Sequence, residues 1–96
     1  MSCPFYTALS PIQGRGLFAN QYFPLGTALF KVADNKGNVT DLGKWVNHWR
    51  EPNIMLHAEN DGLYAISIMP IYQGREILAN YNYSPNCLKK ADPSWY

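Results

Sequence analysis

Residues 45–53, which read WVNHWREPN, say more about the fold than any other part of this sequence. An adjacent amide and imidazole, Asn47 and His48, follow an apolar pair, and a Pro-Asn step ends the segment. Amides and an imidazole in a loop can bind a heteroaromatic ring such as adenine. A hydrogen-bonded structural loop has the same composition. Taken alone, this segment therefore leaves a binding role and a structural role open.

Two other segments combine glycine turns with short apolar strands. Residues 74–81, GREILANY, form a turn and then a strand that ends in a polar and aromatic cluster. The terminal Tyr81 is either a pocket hydroxyl or a half-buried core side chain. Residues 14–16, GRG, are a turn whose glycines let backbone amides approach a ligand. This turn lacks the third glycine and the following helix of a dinucleotide-binding fingerprint, which excludes a Rossmann site.

The rest of the chain is divided into short pieces by seven glycines and seven prolines, a pattern typical of short strands and turns. Strands are predicted at residues 17–19, 27–32, 54–57, 63–68 and 76–81. The turn Asn60-Asp61-Gly62 joins the third and fourth of these strands into a hairpin. One helical turn is predicted at residues 42–46, capped by Asp41. The sequence therefore predicts a small, irregular, mostly β domain.

Length and composition restrict the classes of protein further. The 96 residues are enough for one domain, and 47% hydrophobic against 16% charged residues predicts a folded chain. A net charge of +1 argues against direct nucleic-acid binding. No apolar run is long enough for a membrane helix, and no secretory signal is visible. We therefore expect an intracellular protein, in the cytoplasm, the nucleus or a host cell, that binds no membrane.

The soft metal ligands of the sequence do not form a recognised site. Cys3, His48, His57 and Cys87 match no standard zinc spacing, so no metal is expected. In an intracellular chain the two cysteines are expected to be free thiols.

Read in chain order, the motifs resemble a SET domain, the protein-lysine methyltransferase module. The matching segments are GRGLFA at 14–19, FPLG at 23–26, VNH at 46–48, PN at 52–53, YAI at 64–66, GREI at 74–77 and NY at 80–81. The resemblance covers about residues 8–83 of a single domain spanning 1–96, and it leaves an aromatic tail at 84–96. The small size is similar to that of minimal viral SET proteins. The resemblance implies a β-clip fold of short sheets with a C-terminal pseudoknot.

The same resemblance implies S-adenosylmethionine as cofactor and a protein or peptide lysine as substrate. The residues that it assigns to the cofactor are Gly14, Arg15, Gly16, Asn47, His48 and Trp95. Tyr81 is the implied catalytic residue at the point of methyl transfer, where it orients the lysine. Pro52 and Asn53 are expected to shape the pseudoknot loop.

One departure from the family concerns the substrate side. Only 20 residues separate Gly26 from Asn47, where family members carry an insert that forms a wall of the substrate groove. A homodimer could supply the missing wall. The short interval between Gly26 and Asn47 also supports an alternative, in which the chain is a catalytically inactive SET-like binding or interaction module. A β domain that shares the pattern by chance is a third alternative.

Overall fold

The computed structural model describes residues 3–80, so the predictions for Tyr81, Cys87, Trp95 and the tail lie outside the described residues. Within that part of the chain there are seven strands and one 3-10 turn, Gly43–Trp45. The strands are β1 Phe5–Leu9, β2 Arg15–Ala19, β3 Ala28–Asp34, β4 Asn47–His48, β5 Ile54–Glu59, β6 Gly62–Ser67 and β7 Leu78–Ala79. No helix in this range is long and apolar enough to cross a membrane.

The strands form three small sheets, which confirms the prediction of a mostly β fold. β1 pairs with β2, and β3, β6 and β5 form a three-stranded antiparallel sheet. The predicted hairpin is the β5–β6 pair, closed where Glu59 faces Gly62. The third sheet is the parallel pair β4–β7, in which Asn47 faces Leu78 and His48 faces Ala79.

A compact apolar core joins the sheets. Its largest fully buried apolar side chains are Leu17, Ile54, Leu63, Ile71 and Ile77. Phe5 stacks on Phe23 at 5.2 Å between ring centroids and meets the edge of Phe30 at 5.1 Å. Each such side chain contributes about 1.5–3 kcal/mol when buried, so this core supports strands too short to be stable alone.

One sequence prediction about local structure needs correction, and one strand was missed. The 3-10 turn is not capped by Asp41, because its Gly43 N–H group donates to Thr40 Oγ1 at 3.0 Å. Thr40 also donates to the Lys31 carbonyl at 2.6 Å, so it ties the turn to β3. β1 was not predicted, because its sequence FYTAL alternates only weakly between buried and exposed positions.

The segment leading into β7 determines where the site forms. The predicted strand at 76–81 is regular only at Leu78–Ala79 in the described chain. Before it, the Ile77 N–H donates to the Leu17 carbonyl at 2.7 Å, and the Ala19 N–H donates to the Arg75 carbonyl at 2.9 Å. Residues 75–77 therefore run beside β2, and the chain then pairs with β4. This path places Glu76 between the glycine turn and Asn47.

Candidate functional site

A cavity of about 300 Å³ lies between the glycine turn and the segment that leads into β4. Its lining residues are Gln13, Gly14, Arg15, Lys44, Trp45, Val46, Asn47 and His48. Four of the residues predicted to bind a cofactor are thus brought to one cavity, from positions more than thirty residues apart. Its volume is at the lower end of the range for small-molecule pockets.

The two glycines of the turn serve different purposes. Gly14 has a φ of 49°, in the left-handed region that favours glycine, and a Cβ there would meet nothing within 4 Å. Gly16 does not line the cavity, and a Cβ on it would collide with the Glu76 carboxylate and lie 3.1 Å from Asn47 Nδ2. Gly14 therefore provides the turn, whereas Gly16 provides room for Glu76 to contact Asn47.

The Asn47 side chain is held by three acceptors. Its Nδ2 donates to the Gln13 carbonyl at 2.9 Å, to the Arg15 carbonyl at 3.3 Å and to Glu76 Oε2 at 2.9 Å. All hydrogen bonds of this side chain within residues 3–80 involve Nδ2. The Oδ1 atom, an acceptor, is therefore the polar atom that the amide can offer to a ligand.

Arg15 contributes its backbone to this arrangement. Its guanidinium donates to the Thr7 carbonyl at 3.2 Å, so the side chain lies along β1. The Arg15 carbonyl, by contrast, accepts from Asn47. This position can therefore take part in the site through main-chain atoms alone.

Glu76 is the functional residue that the sequence prediction missed. Its side chain is only 9% exposed and accepts from Ser10 Oγ at 2.7 and 2.9 Å, besides Asn47. A buried carboxylate needs such donors because its desolvation is costly. The available signal was a charged residue between apolar neighbours in GREIL, but nothing in the sequence indicated its partners.

His48 is a buried member of the site. Its side chain is 3% exposed, and burial lowers its pKa below the ordinary value of 6.5. The imidazole is therefore neutral at physiological pH. The predicted role of His48 in holding a cofactor stays a prediction, and its burial shows that the ring is also part of the packing around β4.

The stability of the fold is expected to decrease as the pH falls through about 6.5. Because the folded-state pKa of His48 lies below its unfolded value of 6.5, the unfolded chain binds more protons between the two values. The urea midpoint should therefore be lower at about pH 5 than at about pH 7.5. The His48→Gln variant should no longer show this decrease of the urea midpoint at low pH. The His57→Gln variant, changed at an exposed residue, should still show it. Hydrogen bonds lower the pKa values of Asp34 and Asp61 from the ordinary value of 3.8, so their contributions to the stability of the fold are lost only below about pH 3.8.

Trp45 and Lys44 form a wall of the same cavity that sequence analysis did not assign. The Lys44 Nζ atom lies 5.4 Å from the centre of the Trp45 ring. Trp45 belongs to the motif that was singled out, yet its place beside the glycine turn depends on the long-range β4–β7 pairing. A partly exposed aromatic ring at this position can stack on a flat ligand.

A larger cavity, of about 550 Å³, has Glu76 among its lining residues. Its walls are mostly apolar and include Ile12, Phe18 and Tyr72, with Glu51 and Glu76 as its acidic residues. Within residues 3–80, none of the residues predicted from the sequence to bind a cofactor lines it. Since Glu76 contacts Asn47, which lines the smaller cavity, one hydrogen bond connects the two cavities.

Two solved structures share the fold of this chain. The chain is 18% identical to a humanised mutant of the Polycomb Repressive Complex 2 of Chaetomium thermophilum bound to an inhibitor, with a TM-score of 0.69 over 86% of this chain. It spans only 15% of that protein chain. It is 16% identical to a candidate histone methyltransferase of Plasmodium falciparum, with a TM-score of 0.70, over 88% of this chain and 97% of the other.

These likenesses show a SET-like fold, as the sequence predicted. No protein-family model matches the sequence, and no curated protein matches it either. The likeness therefore concerns the fold, and the predicted pseudoknot stays a prediction.

Proposed function

We propose that this chain is an S-adenosylmethionine-dependent protein-lysine N-methyltransferase of minimal SET type. The observation that carries the proposal is the single cavity to which Gly14, Arg15, Asn47 and His48 contribute. The resemblance in sequence independently assigns these four residues to the cofactor. The SET-like fold, shared with a candidate histone methyltransferase of Plasmodium falciparum, supports the same function.

The chemistry of the cavity fits the methionine end of this cofactor. An ammonium group has donors only, and Asn47 offers the acceptor Oδ1 because its Nδ2 is occupied. Glu76 places a buried carboxylate beside Asn47, which favours a cation nearby. Trp45 supplies an aromatic surface for the adenine, and Trp95 is proposed as a second cover for it.

The bound cofactor would supply an activated methyl group. The protein must then hold a neutral lysine amine in line with that group, since only the free lone pair can attack. Tyr81, whose hydroxyl is proposed to orient the amine, follows β7 by two residues in the sequence. Because positioning alone can lower a barrier substantially, no general-base carboxylate is required.

Calorimetric titration with S-adenosylhomocysteine tests this proposal. The wild type should bind, and Asn47→Ala should bind about tenfold more weakly or worse, because a charge-assisted hydrogen bond to the ligand is lost. Asn35→Ala is the matched control, since Asn35 is exposed and its side chain donates to the Asn60 carbonyl at 3.4 Å. Quenching of tryptophan fluorescence that is present in the wild type and reduced in Trp45→Phe gives an independent readout from the cavity itself.

Tyr81→Phe separates binding from catalysis. This variant should bind the cofactor like the wild type and lose at least about tenfold in methyl transfer to a lysine peptide library. Failure of the wild type to bind S-adenosylhomocysteine at millimolar concentration would refute the proposal and favour an inactive interaction module.

A further inference from the structure

An asparagine amide can turn either its oxygen or its nitrogen towards a ligand, and the two orientations select opposite ligands. With Oδ1 exposed, Asn47 selects a donor such as an ammonium group, whereas with Nδ2 exposed it would select an acceptor. The amide is symmetric in shape, so packing distinguishes the orientations poorly. Its orientation must be set by the groups that surround it.

Of the three acceptors around Asn47 Nδ2, Glu76 has the largest influence. A charged acceptor makes a hydrogen bond about twice as strong as that of a neutral carbonyl. The Glu76 bond, at 2.9 Å, is as short as the bond to the Gln13 carbonyl and shorter than the 3.3 Å bond to the Arg15 carbonyl, and of the three acceptors Glu76 carries the charge. Reversal of the amide would also bring Oδ1 against the carboxylate, and two acceptors facing each other repel.

Glu76 is itself fixed at both ends. At its carboxylate, Ser10 Oγ contacts both oxygens, at 2.7 and 2.9 Å, and Gly16 leaves the space that it occupies. At its main chain, the carbonyl accepts from Asn53 Nδ2 at 2.7 Å. A carboxylate held in this way cannot follow the amide if the amide rotates.

We propose that Glu76 is a positioning residue that, with Ser10, keeps the Asn47 amide oxygen turned towards the cavity and so makes the site selective for a ligand with an ammonium group. Glu76 does not line this cavity and acts through Asn47. The inference rests on the proposed function, because it concerns the same cofactor site. It adds a residue and a source of ligand selectivity to that site.

The test compares two ligands on the Glu76→Gln variant. Glutamine keeps the size of the side chain, but its amide can pair with Asn47 in either orientation. S-adenosylhomocysteine should bind about tenfold more weakly to this variant than to the wild type. The analogue that lacks the amino group should bind to both proteins with affinities within about twofold of each other.

Two controls separate positioning from a general structural effect. Glu51→Gln changes an exposed acid beside the larger cavity and should leave both affinities unchanged. The side-chain amide signals of Asn47 in a nitrogen-15 NMR spectrum should shift in Glu76→Gln and stay in place in Glu51→Gln. If Glu76→Gln does not fold, Ser10→Ala takes its place in the same pair of titrations, with a smaller selective loss expected.

The outcomes distinguish the two proposals. A loss confined to the ligand with the amino group supports the role of Glu76. An equal loss for both ligands, or no loss for either, overturns it while the proposed function stands. Absence of binding to the wild type overturns both proposals.

Discussion

Gly16→Ala is expected to lower the melting temperature by about 10 °C and to weaken cofactor binding at least about tenfold. The added Cβ would collide with the Glu76 carboxylate and lie 3.1 Å from Asn47 Nδ2. Glu76 is 9% exposed, and a carboxylate that moves away from the new Cβ also moves away from Ser10 and Asn47. Its hydrogen bonds with Ser10 and Asn47 would therefore break, at a cost of about 2–3 kcal/mol.

The matched control for this substitution is Gly14→Ala, in the same turn. A Cβ on Gly14 meets nothing within 4 Å, so only the strain of its positive φ is introduced, about 1 kcal/mol. Thermal unfolding and S-adenosylhomocysteine titration of the two variants provide the measurement. Equal effects from both variants would contradict the assignment of Gly16 to the Glu76–Asn47 contact.

Much of the fold could be predicted from local patterns in the sequence. β2 and the β5–β6 hairpin were found because apolar runs and the Asn60-Asp61-Gly62 turn are contiguous signals. β1 was missed because FYTAL lacks a clear alternation, and its strand state depends on pairing with β2. Asp41 was predicted as the cap because Asp is a good capping residue, whereas the bonds of Thr40 to Gly43 and to β3 depend on tertiary contacts that no local pattern shows.

The candidate site likewise contains residues that local motifs identified and residues that they did not. Gly14, Asn47 and His48 were identified because their motifs resemble a family in chain order. Glu76 and Ser10 were not identified, since their contact joins residues 66 positions apart. No local pattern encodes such a contact. It becomes visible only when the path of residues 75–77 beside β2 is known.

The position of Glu76 depends in turn on Asn53, which connects the loop after β4 to β7. Its Nδ2 donates to the Glu76 carbonyl at 2.7 Å, and its Oδ1 accepts from the Leu78 N–H at 2.9 Å. The Asn53 N–H also donates to the Leu78 carbonyl at 3.0 Å. A two-residue strand such as β7 has few ladder hydrogen bonds of its own, so these contacts supply much of its order.

Asn53→Ala is expected to destabilise the protein by about 2–4 kcal/mol, because it leaves the partly buried Glu76 carbonyl and Leu78 N–H without this partner. A chain of this length has a total stability of only about 5–14 kcal/mol, so the loss is a large part of the whole. Urea denaturation measures the loss, and faster hydrogen exchange at the Leu78 amide locates it. Asn20→Ala is the matched control, because its Nδ2 makes one exposed bond, to the Cys3 carbonyl at 3.0 Å, and should cost under about 1 kcal/mol. If Asn53→Ala were as stable as Asn20→Ala, β7 would not depend on this side chain, and another interaction would have to hold Glu76 beside Asn47.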